Sequence, residues 1–328
     1  MNDFRRTPSV SIVLVSHNDE ASLKQCLKSI VSQTYGDYEV ILVDNGSKDR
    51  SVEVARELFP DVRVLRLGKN YGLTAAYNIG LRVARGRYLV TMHNDVIVDK
   101  AWLESLVKAM KSHPQYVLLG SAEATPEIPY HTYVDMNAWF SYVRFRADEN
   151  VVVVPTAYVS GTSLFFRREL LEALGKIFDE RLGTYAYDDE ISLKALLSLG
   201  LIGYSTRSKI FHYGGGTASR VVSVKRAAYL RSRNRVFVLF ECLSLKNFIK
   251  ALAVLLMLEL IRFLTRPKDF LGNVYTFSGT VSGIVMLLTL LNKRREFLYK
   301  KTKDDKDLIR RLRVRTRTQR LIKLFLVG

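Results

Sequence analysis

Short apolar runs alternate with amphipathic segments along the first hundred residues of this 328-residue chain. The runs are rich in β-branched residues, which predicts buried strands at residues 10–15, 38–43, 62–67 and 88–92. Between them, apolar residues at helical spacing predict helices at 21–32, 49–59 and 73–84. The order β-α-β-α-β-α-β with short connections predicts an α/β fold, with a doubly wound, mostly parallel sheet and right-handed crossovers.

Polar residues stand at the carboxyl ends of three predicted strands. They are Ser16, His17 and Asn18 after the first strand, Asp44 after the second, and His93, Asn94 and Asp95 after the fourth. Such ends share one edge of a parallel sheet, where open α/β sheets bind ligands. The pattern G-x-G-x-x-G is absent after the first strand, which does not favour a dehydrogenase, and phosphates would be held otherwise, for example by a metal. Taken alone, residues 93–95 are equally compatible with a turn.

The middle of the chain shows weaker periodicity. A helix is predicted at 102–111 and ends before Pro114, and residues 120–157 are expected to be irregular and to shape a substrate. The pattern then predicts a strand with a glycine bend at 158–166, a short helix at 169–174, a longer helix at 185–199 and a strand that ends at His212.

Six motifs follow one another in a fixed order. They are residues 10–18 (VSIVLVSHN), residues 43–51 (VDNGSKDRS), Asn70-Tyr-Gly72 with Asn78 and Gly80, His93-Asn94-Asp95, Asp179-Glu180 with Tyr187-Asp188-Asp189, and His212 with Arg233-Asn234. From about residue 9 to residue 235 the chain resembles glycosyltransferase family 2, in its rhamnosyltransferase-like branch. This resemblance implies a GT-A fold (Rossmann-like) and an inverting transfer of a sugar from a nucleotide-sugar donor to a glycan or lipid-linked acceptor.

The resemblance also implies the residues of the site. Those expected to bind the nucleotide-sugar are Ser16, His17, Asn18, Asp44, Asn70, Asn78, Asn94 and Arg233. A divalent cation, Mn²⁺ or Mg²⁺, is expected to be held by Asp95, His93 and His212 and to neutralise the diphosphate leaving group. The family usually has Asp or Asn at the position of His93. An imidazole there favours Mn²⁺ over Mg²⁺, or points into the core and leaves Asp95 as the ligand.

The acceptor hydroxyl needs a base, and Asp188 and Asp189 are the two candidates. Aligning residues 190–194 (EISLK) with the family's D-L-S-L-R favours Asp188, whereas counting back from Gly200 favours Asp189. In that alignment Lys194 replaces the family's Arg. The alternative is that both acids simply stabilise a helix start through its dipole, which contributes about 0.3–1 kcal/mol.

The charge of the chain is distributed unevenly. Residues 1–216 carry 25 basic and 25 acidic residues, so the whole formal excess of +18 lies in residues 217–328. This predicts a neutral folded module followed by a segment that faces a polyanion, either an anionic membrane or a nucleic acid. The two cysteines imply no disulfide framework, and the N-terminus lacks the apolar stretch of a signal peptide, so the module is expected on the cytosolic side.

We therefore expect a GT-A domain at 1–235, with a nucleotide-binding half at about 1–115 and an acceptor half at about 116–235, and a basic helical extension at 236–328. The apolar stretches at 248–264 and 270–292 are diluted by charged or polar residues, which favours helices on the membrane surface over spanning ones, although 270–292 is long enough to span. Residues 293–295 and 310–323 would bind anionic headgroups at the cytoplasmic side.

Two other functional classes fit the sequence less well. A sugar-nucleotide nucleotidyltransferase needs a glycine-rich basic loop after the first strand, and SHNDEAS provides neither feature. A non-enzymatic protein that binds nucleic acid or another polyanion would use the basic tail, but the interleaved aromatic and basic motifs of RNA-binding proteins are missing, so no nucleic acid is expected as a partner.

Overall fold

The computed structural model describes residues 7–136, 142–214 and 222–305, together with Leu308. Its first half contains the predicted βα repeats. The strands are β1 (Val10–Ser16), β2 (Tyr38–Asp44), β3 (Arg63–Arg66) and β4 (Tyr88–Met92), and the helices are α1 (Glu20–Val31), α2 (Ser51–Leu58) and α3 (Leu73–Val83). Strand β1 pairs in parallel with both β2 and β4, and β2 pairs in parallel with β3. The prediction of a parallel, doubly wound sheet is confirmed.

The second half extends the same sheet with mixed strand directions. Its elements are β5 (Val96–Val98), α4 (Trp102–Ser112), β6 (Tyr116–Ala124), β7 (Thr132–Met136), β8 (Tyr142–Arg146), β9 (Val153–Thr156), β10 (Ser163–Arg167), α5 (Arg168–Leu174), α6 (Tyr187–Ser198) and β11 (Leu201–His212). The sheet order is β3-β2-β1-β4-β10-β6-β11-β5, with β10 antiparallel to β4 and β5 antiparallel to β11. The carboxyl ends of β1, β2 and β4 therefore share one edge.

The expectation of an irregular segment at residues 120–157 is wrong, because strands β6 to β9 occupy much of it. Strands β7 and β8 form an antiparallel pair, and β8 alternates between exposed and half-buried positions. A strand of this kind has no continuous apolar run and is easily missed in a sequence. The strand predicted from residue 158 starts instead at Ser163, after the bend at Gly161.

The C-terminal part consists of helices packed on the rest of the fold. They are α7 (Val224–Cys242), α8 (Leu245–Thr265), α9 (Phe270–Val285) and α10 (Leu291–Lys300). The core beside α3 and α6 also contains buried residues of α7, among them Val236 and Phe240. The domain boundary predicted at residue 235 falls inside α7, which continues through it. The basic residues predicted to bind lipid at 310–323 lie outside the described part of the chain.

Helix α9 is fixed to α7 by close backbone packing at two glycines. A Cβ atom at Gly279 would lie 2.2 Å from the carbonyl oxygen of Tyr229, and one at Gly283 would lie 3.0 Å from the carbonyl oxygen of Arg233. The stretch Phe270–Lys300 is long and apolar enough to cross a membrane, with 28% of its most apolar part buried in the protein. The glycine contacts hold the first part of this stretch against α7.

Replacing Gly279 by alanine is expected to lower the free energy of unfolding by about 1–3 kcal/mol, since the added methyl group meets backbone that cannot give way. Gly36 is the matched control, because a Cβ there meets nothing within 4 Å. Chemical denaturation of Gly279→Ala and Gly36→Ala measures the difference. Equal stability of the two variants would contradict the packing of α9 on α7.

Candidate active site

The loops after β1 and β2 are joined by hydrogen bonds. The amide of Lys48 donates to the Asn18 side chain (2.7 Å), and the amide of Asn18 donates to Ser47 Oγ (3.1 Å). Asp44 is buried and accepts from the amide of Ser47 (2.9 Å). Asn18 adopts a left-handed conformation (φ 51°), which Asn tolerates better than most residues. These bonds bring Asn18 and Asp44 together at the carboxyl edge of the sheet.

The remaining residues predicted for the nucleotide lie around these loops. Asn70 accepts from the side chain of Asn45 (3.1 Å) and so ties the loop before α3 to the end of β2. His17 is half-buried next to Asn18, and Ser16 is buried with its hydroxyl 3.4 Å from that of Ser51. Asn94 donates to Asp19 across 3.4 Å, which connects the loop after β4 to the loop after β1.

Asp95, His93 and His212 form a cluster beside these loops. One potential ligand atom from each lies within 4.8 Å of the others. Asp95 Oδ1 is 3.3 Å from His212 Nε2 and 3.9 Å from His93 Nδ1. Strand β11 places His212 there because it pairs antiparallel with β5, with His212 opposite Val96. The distance from His93 Nδ1 to Asp95 shows that the His93 ring points towards this carboxylate and not away from it.

The other nitrogen of each imidazole is occupied by a protein acceptor. The hydroxyl of Tyr187 donates to the carbonyl of Gly161 (3.2 Å), so it accepts from His93 Nε2 (2.6 Å). His212 Nδ1 donates to Glu123 Oε1 (3.0 Å), and Glu123 also accepts from Thr162 Oγ1 (3.1 Å). Both histidines thus present their second nitrogen to Asp95, which is the arrangement of metal-binding histidines held by outer hydrogen bonds.

The electrostatics of the cluster favour an ionised carboxylate. Burial raises the pKa of Asp95, but the hydrogen bond from His212 and the neighbouring imidazoles lower it to about 2. Burial lowers the pKa of His212, whereas its bonds to Asp95 and Glu123 raise that pKa to about 10. Burial is also the main reason why the pKa of His93 is lowered. A protonated His212 compensates the negative charge of Asp95, and a bound cation could compensate the same charge in its place.

The donor set fits a divalent transition metal. One carboxylate oxygen and two imidazole nitrogens converge, and such a mixed set suits Mn²⁺ better than Mg²⁺, which prefers oxygen ligands. Glu123, a residue that the sequence did not single out, would orient His212 from outside the ligand set. The role of Glu123 depends on the pairing of β6 with β11 near His212, which the sequence does not show.

Asp188 and Asp189 open helix α6 on the other side of the site. Asp188 Oδ2 accepts from the hydroxyl of Tyr158 (2.5 Å) and from the amide of Gly161 (3.2 Å). Since the carbonyl of Thr162 accepts from the amide of His93 (3.1 Å), Asp188 is linked through residues 161 and 162 to the cluster of Asp95, His93 and His212. The charge of Asp188 also acts on the pKa of His93.

Asp189 faces a different set of neighbours. It is buried and accepts from the hydroxyl of Tyr142 (2.5 Å). Burial raises its pKa to about 6, although the charge of Arg235 opposes this rise. The two acids are therefore distinct, with Asp188 on the side of His93 and Asp189 on the side of Arg235.

Helix α6 is anchored by a buried ion cluster. Lys194 Nζ lies 2.6 Å from Glu190 and 2.7 Å from Glu241 of α7, and Glu190 accepts from the amide of Asp179. Lys194, the replacement for the family's Arg, thus joins the helix of Asp188 to α7. A buried cation between two carboxylates fixes geometry at little net gain in stability.

The structure does not bring two of the predicted residues to this site. The side chain of Asn78 donates to the carbonyl of Phe178 (2.8 Å) and accepts from its amide (3.2 Å), so it holds the loop before α6 in place. Arg233 donates to the carbonyl of Arg181 (3.2 Å) and lies over the ring of Phe237. Its helix instead presents Arg231 and Arg235 to the site.

A cleft of about 810 Å³ connects these groups. Its lining includes His93, His212, Asp188 and Asp189, and also the side chain of Glu123. Another part of the lining comes from α7, α8 and α9, and for α8 and α9 the sequence had predicted a role at the membrane.

The family model for Glycosyl transferase family 2 matches residues 11–175, about half of the chain. The chain belongs to this family. The matched region contains the loops after β1, β2 and β4, and it ends before Asp188 and His212. A family 2 relative, Glycosyltransferase GlyA of Streptococcus pneumoniae, is 28% identical over 182 residues, which is 53% of this chain and 25% of GlyA. The chain thus spans about a quarter of this curated relative.

Two solved structures show the fold of this family 2 chain. TarS residues 1–349 from S. aureus has a TM-score of 0.58 at 17% identity, covering 95% of this chain and 92% of that one. GalNAc-T7, solved with UDP, GalNAc and Mn²⁺, has a TM-score of 0.57 at 20% identity, covering 71% of this chain and 48% of that one. TarS has also been solved with UDP-GlcNAc. The expected GT-A fold with a helical extension is confirmed; the rhamnosyltransferase-like branch is not.

Proposed function

We propose that this protein is a metal-assisted, inverting glycosyltransferase that moves a sugar from a nucleotide-sugar to an acceptor hydroxyl in the cleft. The observation that carries this proposal is the convergence of Asp95, His93 and His212 at the edge that also presents Asp44 and Asn18. The UDP, GalNAc and Mn²⁺ named for GalNAc-T7 and the UDP-GlcNAc named for TarS support the same chemistry for this fold.

The donor half provides the binding surface in this proposal. The joined loops around Asn18, Asp44 and Asn70 would hold the nucleoside, and their mutual hydrogen bonds preorganise them. Asp95, His93 and His212 would hold Mn²⁺, which would supply positive charge to the diphosphate as the glycosidic bond breaks. Glu123 and Tyr187 keep the two imidazoles turned towards that position.

Asp188 is the proposed base. Its carboxylate would accept the proton of the acceptor hydroxyl while that oxygen attacks the anomeric carbon from the face opposite the leaving diphosphate. The bonds from Tyr158 and Gly161 hold the carboxylate in place and link it to the loop of His93. Asp189 would assist by binding the acceptor on the side of Arg235, because Tyr142 donates to its carboxylate and the charge of Arg235 acts on it.

The proposed place of action is the cytoplasmic surface of the cell membrane, with the C-terminal helices on the bilayer. The exposed apolar residues of α8 and α9 and the basic residues beside them support this placement. Docking of α9 on α7 through Gly279 favours a surface position over a spanning one.

Vesicle cosedimentation tests this placement. We expect the protein to sediment with phosphatidylglycerol vesicles but not with phosphatidylcholine vesicles, and failure to sediment with either contradicts the placement.

The donor is tested by thermal stabilisation with a panel of UDP-, GDP- and dTDP-sugars, each with Mn²⁺ and with EDTA. At 100 times the dissociation constant, a bound donor stabilises the fold by about 2.7 kcal/mol, which gives a clear rise in melting temperature. We expect one nucleotide to stabilise in Mn²⁺ only. If no nucleotide-sugar stabilises the protein under either condition, the proposed function is wrong.

A further inference from the structure

The C-terminal helices form one wall of the catalytic cleft. Helix α8 contributes Leu255, Leu258, Glu259 and Arg262, and helix α9 contributes Thr276 and Thr280. This wall lies in the same cleft as Asp188 and Asp189, on the side where an acceptor would enter under the proposed function. The extension therefore helps to define what the cleft accepts.

Arginines dominate the charge of this wall. Arg231 and Arg235 of α7 and Arg262 of α8 line the cleft, and Arg144 of β8 joins them. Arg231 and Arg262 are exposed, which places them towards solvent, whereas Arg235 is half-buried near Asp189. The Arg231 guanidinium stacks 4.7 Å from the ring of Tyr185, which restricts its orientation. Guanidinium groups arranged in this way suit phosphate.

Glu259 is the acidic residue that α8 contributes to this wall. Its Oε1 accepts from Thr280 Oγ1 (2.6 Å), while its Oε2 is buried without a hydrogen-bond partner among the described residues. Burial raises its pKa, and the charge of Arg262 opposes that rise. A buried carboxylate oxygen of this kind costs free energy until a donor reaches it, and a sugar hydroxyl is such a donor.

The outer faces of the same two helices are apolar. Leu260, Ile261 and Leu264 of α8 are exposed, and so are Leu271, Phe277 and Val281 of α9. Soluble proteins seldom expose so many large apolar side chains together. Arg262 belongs to the cleft lining and lies in sequence between Ile261 and Leu264, so the apolar face and the basic wall adjoin.

We propose that the acceptor is a lipid-linked sugar phosphate, whose phosphate binds Arg231 and Arg262 and whose hydrocarbon chain lies on the apolar face of α8 and α9. This inference rests on the proposed function and specifies its acceptor. The acceptor sugar then reaches Asp188 from the membrane side, with Glu259 available to a sugar hydroxyl. A neutral glycan would form no charge-assisted hydrogen bond with either arginine.

The test is a binding experiment on the full chain in detergent micelles with EDTA and without donor. Farnesyl phosphate, farnesol and inorganic pyrophosphate are titrated separately. The tested protein is Arg231→Gln/Arg262→Gln, and the matched control is Lys28→Gln/Arg56→Gln, which removes two exposed charges from α1 and α2. The tested variant loses two charge-assisted contacts with phosphate, so we expect it to bind farnesyl phosphate at least about tenfold more weakly, while the control binds it with unchanged affinity.

Three results would overturn the inference. The first is equal binding of farnesol and farnesyl phosphate, which would mean that the phosphate does not contribute to binding. The second is binding of pyrophosphate as tight as that of farnesyl phosphate, which would mean that the hydrocarbon chain does not contribute. The third is unchanged farnesyl phosphate affinity in the arginine variant. The titrations contain no donor and no metal, so their results are independent of the nucleotide-sugar panel. A failed titration refutes the proposed acceptor, whereas a failed panel refutes the proposed function.

Discussion

Replacing Asp95 by alanine is expected to lower transfer by about a thousandfold. Asp95 is the proposed oxygen ligand between two imidazoles, and its pKa of about 2 keeps it ionised at every pH at which the enzyme would work. Loss of the metal would remove several kcal/mol of transition-state stabilisation, and about 4 kcal/mol corresponds to a thousandfold in rate. Initial rates at saturating donor, with Mn²⁺ varied, measure this effect.

A second measurement separates loss of metal from loss of fold. In Asp95→Ala, Mn²⁺ should no longer raise the melting temperature in the presence of the nucleotide that stabilises the native protein. Asp61→Ala is the control, because Asp61 is an exposed carboxylate in the loop before β3. Full activity of Asp95→Ala would remove the metal-binding cluster from the mechanism.

Replacing Asp188 by asparagine is expected to lower kcat by about 10²–10⁴-fold, the usual contribution of a general base. Asparagine keeps the shape of the side chain and can still accept from Tyr158 and Gly161 through its oxygen. Donor binding should therefore remain, because the nucleotide-binding loops are untouched. Single-turnover rates combined with donor thermal shifts distinguish the two effects.

Asp189→Asn is the matched variant for this experiment. We expect it to change the KM for the acceptor more than kcat, since Asp189 faces Tyr142 and Arg235. A larger loss of kcat in Asp189→Asn than in Asp188→Asn would reverse the assignment of the base. The sequence alone left the two acids unresolved, and their different neighbours now make separate predictions.

The donor half was predictable because its signals are local. Fully buried parallel strands require continuous apolar runs, and β1, β2 and β4 have them. The polar residues that follow such runs must meet at one edge, which is how Asp95 and Asp44 were identified. His212 was identified through a family resemblance, because a strand from a distant part of the chain brings it beside Asp95.

The acceptor half was less predictable because its signals are not local. In α7, Arg231 and Arg235 are four residues apart and share a face, whereas Arg233 lies on the opposite side of the helix. The sequence shows all three arginines but not which face is turned to the cleft. The surroundings of Asn78 could not be predicted for a similar reason, since its partner Phe178 lies 100 residues away in the sequence.

Helix α7 has a further consequence for how acceptor preference can change among related enzymes. It carries Arg231 into the cleft and, three turns later, binds α6 through the ion pair of Glu241 with Lys194. In a chimaera that exchanges only α8 and α9, the foreign α9 would pack on the native α7. The backbone contact that Gly279 makes with α7 would then no longer match. Exchanging α7, α8 and α9 together, with residue 194 chosen to pair with residue 241, would keep the contact between α6 and α7.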